Sequence, residues 1–177
     1  MGQPGQVPPP SRQLTDFEAR VYEYYSAMGC GLQSNIINSE TWTVDFNRSQ
    51  VLLESATEGP PARVTYRFTV TPDMTNRLGT LHGGCAATLI DTLSTCILEG
   101  VSKPGIFSLG GVTRNLKLTY LRPVPLSSEA RLICEVVHVG RRLALLKAEI
   151  RKVDNGDLCV VGEHEKANTD PQTAQKI

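Results

Sequence analysis

The chain has 177 residues, with 18 Lys and Arg against 18 Asp and Glu and a formal net charge of zero. That balance, with a pI near 6.8, gives no bulk electrostatic case for nucleic acid or an anionic membrane as partner. The length suits one domain with a sizeable core. No apolar run approaches 18 residues without polar interruption, so no membrane span is expected.

Residues 1–13 hold four prolines and two glycines and read as a disordered lead. The start, Met1-Gly2-Gln3-Pro4-Gly5-Gln6, lacks the apolar core of a secretory signal and the Ser or Thr at position six of a myristoylation signal. Its basic residues are sparse for a transit peptide. An intracellular location, cytoplasmic or mitochondrial, is the expectation. Five cysteines (Cys30, Cys85, Cys96, Cys134, Cys159), odd in number and mostly inside apolar runs, read as reduced core residues. No Cys or His pair has metal-ligand spacing, and no cofactor is implied.

Leu14 to Met28 is predicted as a helix, with Thr15 or Asp16 as N-cap and an apolar stripe of Leu14, Phe17, Val21, Tyr24 and Tyr25. Residues 30–48 fit neither period. Gln50 to Ala56 reads as a strand. Ala62 to Thr71 is the cleanest one, Val64, Tyr66, Phe68 and Val70 alternating with Arg63, Thr65, Arg67 and Thr69.

Next comes Asn76-Arg-Leu-Gly-Thr-Leu-His82-Gly83-Gly84-Cys-Ala-Ala-Thr-Leu-Ile-Asp91, a glycine-rich turn feeding a helix that runs to about Gly100. From Gly84 to Leu98 its one charged side chain is Asp91. The helix is apolar on nearly every side and reads as buried, so this carboxylate has to be paired, hydrogen-bonded or used. The helix start offers amides at Gly83 and Gly84 to a negative charge. An anion-stabilising amide beside a carboxylate points to chemistry on a carbonyl. Tight-turn geometry explains both glycines equally well, and a hydrogen bond from Ser94 or Thr95 would explain Asp91. Eight residues of helix separate Gly83 from Asp91, roughly 12 Å. If both act on one carbonyl, the carboxylate has to come from a second copy, which predicts a symmetric dimer with shared sites.

Further strands follow between breaks at Lys103-Pro104-Gly105, Pro123–Ser128, Val139-Gly140 and Asp154-Asn155-Gly156, the last a hairpin turn. A final strand is expected near Leu158 to Ala167. Strand, strand, buried helix and a run of strands describe an α+β fold: an antiparallel sheet of about six strands around one long central helix, with an additional N-terminal helix. The expected division is an N-terminal extension over 1–48, the main domain over 49–168 and a polar tail over 169–177.

The strand pattern, the run Asn76–Asp91 and the later Gly110-Gly111-Val112-Thr113-Arg-Asn-Leu-Lys-Leu-Thr-Tyr120-Leu-Arg-Pro123 together resemble hotdog-fold acyl-CoA thioesterases, in the branch of acyl-CoA thioesterase 13 and the phenylacetate-pathway thioesterases. The resemblance covers about residues 50–168. It implies hydrolysis of an acyl-CoA to a free acid and coenzyme A, with Asp91 as general base or nucleophile. It implies Gly83, rather than Gly84, as oxyanion donor. Asn76 and His82 are implied as supports, and Thr113, where relatives carry serine, as holder of the attacking water. The acyl chain is expected between paired helices against Leu89 and Leu93, near Gly84, and two dimers are expected to form a tetramer.

From Ser108 to Lys152, nine Lys or Arg stand against three Asp or Glu. Arg114, Lys117, Arg141, Arg142 and Lys147 are candidates for the coenzyme phosphates, with a solvated face as the plain alternative. No Gly-x-Ser-x-Gly elbow occurs. Two rivals stay open: a hotdog dehydratase or hydratase pairing His82 with Asp91, and a non-catalytic acyl-CoA or fatty-acid binding module.

Overall fold

A computed structural model of the chain describes residues 12–27 and 51–171. The lead over 1–11, the ambiguous stretch 30–48 with Cys30, and the end of the polar tail lie outside the described residues.

Helix α1 spans Asp16–Ala27. Thr15 is its cap: Thr15 Oγ1 accepts from Glu18 N–H at 3.2 Å while the Glu18 carboxylate accepts from Thr15 N–H at 2.8 Å, a reciprocal capping box. Of the expected stripe, Phe17, Val21 and Tyr25 are buried, and Leu14 and Tyr24 half-buried. Six strands follow: β1 (Leu52–Thr57), β2 (Arg63–Thr69), β3 (Val112–Tyr120), β4 (Glu129–Val139), β5 (Leu143–Lys152) and β6 (Leu158–Ala167). They form one antiparallel sheet in the order β1-β2-β4-β5-β6-β3. Helix α2, Gly83–Val101, lies between β2 and β3 in the chain and packs on the inner face of the sheet.

The alternation within each strand decides the two faces. Inward go Val64, Tyr66 and Phe68 of β2, Leu132 and Cys134 of β4, and Leu146, Ala148 and Ile150 of β5, all buried against the helix side. Outward, Arg63 sits opposite Glu135, Glu135 opposite Lys147, Lys147 opposite Glu163, and Glu163 opposite Lys117. That row alternates in sign across five strands, so cross-strand neighbours attract. A face built this way prefers water to an apolar partner.

By length and composition α2 is long and apolar enough to cross a membrane. Here it is the core helix, with Leu89, Ile90, Leu93, Cys96, Ile97 and Leu98 buried. It is not enclosed on every side. Cys85, Ala87, Thr88, Asp91 and Thr92 stay partly exposed on one stripe, beside the edge strand β3, whose Val112 and Tyr120 are 54% and 53% exposed. A sequence apolar all round shows that a helix wants covering, and leaves open which side the chain itself covers.

Near its other end α2 meets α1. A Cβ on Gly100 would overlap the Phe17 ring and come within 2.8 Å of a Val21 methyl. Glycine therefore sets how closely the helices approach. Gly100→Ala is expected to cost about 1–3 kcal/mol through forced repacking, read as a lower midpoint in chemical denaturation. An unchanged midpoint would show that Phe17 and Val21 give way freely.

Candidate active site

The turn before α2 is built by Asn76. Its Oδ1 accepts from the backbone N–H of Leu78 (2.9 Å) and Thr80 (3.3 Å), and its Nδ2 donates to Thr80 Oγ1 (3.0 Å). The side chain thus shapes the turn, and its amide carries a second N–H beyond the one given to Thr80. His82 is the N-cap of α2, and its Nδ1 accepts from Gly84 N–H at 3.0 Å. At the other end of the same peptide unit, Tyr120 Oη donates to Gly83 O at 2.8 Å. The Gly83–Gly84 peptide is held from both sides. Gly84 N–H is therefore used as a cap, while among the described residues no acceptor meets Gly83 N–H. A Cβ at Gly83 would press on the Tyr120 ring at 3.3 Å. In front of this turn lies a cleft of about 330 Å³, lined by Asn76, Gly83, Ala86, Tyr120, Arg122 and Val160 among others.

The second cluster sits two turns along α2, at the opposite end of β3. Thr113 Oγ1 donates to Asp91 Oδ1 at 2.6 Å. His164 Nε2 lies 3.2 Å from the same oxygen and 2.9 Å from Thr113 Oγ1. His164 Nδ1 lies 2.7 Å from Ser94 Oγ. A carboxylate only accepts, so Nε2 carries the proton that faces Asp91 and Thr113, and in that tautomer Nδ1 accepts from Ser94 Oγ. His164 and Ser94 are fully buried, and the Asp91 side chain is 44% exposed. The order of a Ser-His-Asp hydrolase is thus reversed: the carboxylate faces outward, and the serine anchors the histidine from within. The hydrogen bond from His164 holds the Asp91 carboxyl below its ordinary value; Thr113 adds to it, and partial burial acts the other way.

Thr113 is aimed by what precedes it. The Asp170 carboxylate accepts from Ser108 N–H (2.7 Å), Ser108 Oγ–H (2.8 Å) and Leu109 N–H (3.1 Å), and Asn168 Oδ1 accepts from Phe107 N–H (3.1 Å). Gly111 then enters β3 at φ +63°, where a Cβ would lie 2.5 Å from Ala167 O.

Other sequence candidates fall elsewhere. Leu89 and Leu93 are 1% and 0% exposed and belong to the core; the open stripe of α2 carries Ala87, Thr88 and Thr92 beside Asp91. Ser94 and Thr95 do not reach the Asp91 carboxylate: Ser94 holds His164, and Thr95 donates to the Asp91 carbonyl at 2.8 Å. Arg114 pairs with Glu165 at 3.4 Å. Lys117 is exposed on the outward charged row, and Lys147 pairs with Glu149 at 2.7 Å. Arg141 and Arg142 are exposed in the β4–β5 turn, where their carbonyls accept from Asn168. Arg122 and Tyr120 line the cleft and were absent from the sequence candidates. Partial burial pushes the Cys85 thiol up to about 11, which does not suit a nucleophile. His164 is the main omission. The available signal was its place with Val160, Gly162 and Lys166 on one face of the last strand.

The Thioesterase superfamily model matches residues 78–159, which include α2, Asp91 and Thr113. Acyl-coenzyme A thioesterase 13 of Homo sapiens is 30% identical over 133 residues, covering 74% of this chain and 90% of that protein. The chain belongs to the thioesterase superfamily. The solved structure of zebra fish thioesterase superfamily member 2 superposes with a TM-score of 0.68 at 28% identity, covering 88% of this thioesterase and 99% of that chain. The Mus musculus thioesterase superfamily member 2 does so at 0.64 and 26%, covering 83% and 96%. The fold is accordingly the hotdog fold, and the protein is a thioester hydrolase.

Proposed function

We propose that this thioesterase hydrolyses an acyl-CoA to a free acid and coenzyme A at a site shared by two copies of the chain. The observation that carries the reading is the outward-facing Asp91, ionised and oriented by Thr113 and the buried His164–Ser94 pair. The substrate class follows the relative that is 30% identical. Thr113 has committed its hydrogen to Asp91, and a remaining lone pair is available to hold a water molecule. Asp91 then takes a proton from that water as its oxygen attacks the thioester carbonyl. Charge that develops on the carbonyl oxygen is met by Gly83 N–H, with Asn76 beside it. The carbon–sulfur bond breaks, and the proton on Asp91 passes to the departing thiolate. Water as nucleophile gives Thr113 a part in the reaction, whereas direct attack by Asp91 would leave that hydroxyl only orienting the carboxylate.

Sharing between subunits rests on position. Asp91 and Gly83 mark opposite ends of β3, which is an edge strand with exposed Val112 and Tyr120. Antiparallel pairing of two such edges about a twofold axis would bring Asp91 to Gly83 of the partner subunit. The open stripe of α2, Ala87, Thr88 and Thr92, would then line the acyl channel. A tetramer of two dimers is part of the same proposal, with the outward charged row as a polar second interface. A dehydratase needs a histidine at the substrate; His82 is occupied as a cap at the far end, and His164 is fully buried.

Mixing Asp91→Asn with Gly83→Pro chains, each inactive alone, tests the sharing. Heterodimers hold one intact composite site, so co-refolding is expected to restore about a quarter of wild-type thiol release. A mixture as inactive as its parents places both groups within one chain. Acyl-CoA held by the wild type without thiol release would favour the binding module.

A further inference from the structure

Two residues beyond His164, on the same inward face of β6, stands Lys166, 4% exposed. Its Nζ donates to Thr95 Oγ1 at 2.7 Å, and Thr95 Oγ1 donates to the Asp91 carbonyl oxygen at 2.8 Å. The strand therefore reaches the Asp91 turn twice, once at the carboxylate through His164 and once at the backbone through Thr95. Nothing in the chemistry above uses Lys166.

Keeping an ammonium out of water is costly, and an apolar side chain of similar volume is often neutral or better for stability. A buried lysine beside a reactive carboxylate therefore needs a reason. The groups facing it are Asp91, Cys96 and Glu99 of α2 and His164 on its own strand; Asp170, Arg20 and Tyr24 surround Glu99. Burial lowers the Lys166 pKa, and Asp91, Cys96 and Glu99 oppose that. Glu99 is pushed up to about 6, first by burial and then by Asp170. Near neutral pH Lys166 thus faces two carboxylates, and below about 6 Asp91 becomes its chief counter-charge.

Building on the assignment of Asp91 as the reacting carboxylate, we infer that Lys166 is a positioning residue: through Thr95 it holds the helical turn that carries Asp91, and its charge favours the ionised carboxylate. The two effects separate by substitution. Lys166→Met removes charge and hydrogen bond together; Thr95→Val removes the link and keeps the charge.

The test is steady-state thiol release across pH for wild type, Lys166→Met, Thr95→Val, the double variant and Asp91→Asn, with thermal unfolding of each. Glu99→Gln provides a second background, because Glu99 titrates nearby. Lys166→Met is expected to lower kcat about tenfold at unchanged KM. Its acid limb should rise by about one pH unit in both backgrounds, since a nearby cation favours the carboxylate. Thr95→Val should lower kcat with the acid limb in place, and the double variant should lose no more kcat than Lys166→Met. Wild-type kcat and acid limb in a folded Lys166→Met would overturn the inference. If Lys166→Met does not fold, Thr95→Val decides, and wild-type kcat in that variant overturns it. An active Asp91→Asn would instead overturn the assignment of Asp91.

Discussion

Asparagine at position 91 is expected to lower kcat for acyl-CoA hydrolysis by about 10³-fold, within the range for loss of a positioned general base. The substitution keeps the size of the side chain and an oxygen able to accept from Thr113, so the network of Thr113, His164 and Ser94 has no reason to collapse. What disappears is the charge that takes a proton from water. KM should change little, since the side chain meets the reacting water and not the body of the substrate. Thiol release measured at matched oligomeric state decides it, and rates within a few fold of wild type would remove Asp91 from the reaction.

The pH profile carries the same assignment. The working form of Asp91 is the carboxylate, and its hydrogen bond from His164, aided by Thr113, depresses its pKa. Activity should therefore hold as pH falls through the ordinary carboxylate range and be lost only as pH passes the depressed value. The stability linked to this group has the same sign: present above the unfolded-state pKa, lost as pH falls through the folded one. With the side chain 44% exposed, that contribution is small. The acid limb is thus best read from kinetics.

Gly83→Pro is the second large effect, with an expected loss of about 10²–10³-fold in kcat, the range for removing one oxyanion donor. Proline replaces the amide hydrogen with a ring methylene, so the donor is lost and the place of the carbonyl oxygen is narrowed with it. Position 83 is the first residue of α2, where proline is favoured. His82 before it has φ −66° and ψ 133°, the extended backbone that a residue before proline adopts. The added ring has to share space with Tyr120, whose ring would lie 3.3 Å from a Cβ, so a few tenths of an ångström of movement is required. Gly83→Ala brings the same Cβ against Tyr120 and keeps the N–H. Loss in both variants would assign the effect to Tyr120 and the turn; loss in proline alone assigns it to the amide.

Much of this architecture was legible in the sequence because its signals are local. Alternation from Val64 to Val70 shows a strand with one buried face. Thr15 or Asp16 marks where α1 begins, and the apolar run after Gly83-Gly84 shows a helix that must be covered. Asp91 stood out for the same reason, as one charge in fifteen residues that otherwise want burial. The resemblance of Asn76–Asp91 to acyl-CoA thioesterases named a chemistry for it.

Only the tertiary structure decided the partners. Periodicity says which side chains share a face; it does not say which face of one element meets which face of another. His164 joins Asp91, and Lys166 joins Thr95, across about seventy residues, because β6 lies next to β3 beneath α2. Tyr120 closes over Gly83 for the same topological reason. Leu89 and Leu93 belong to an apolar helix whether they face core or solvent, and the fold buries them, leaving Asp91 on the open stripe. The sequence by itself determined a carboxylate, a glycine turn and the elements that carry them. The fold decided which hydroxyl, imidazole and ammonium reach that carboxylate, since strand order is fixed by long-range burial and pairing that no local pattern contains.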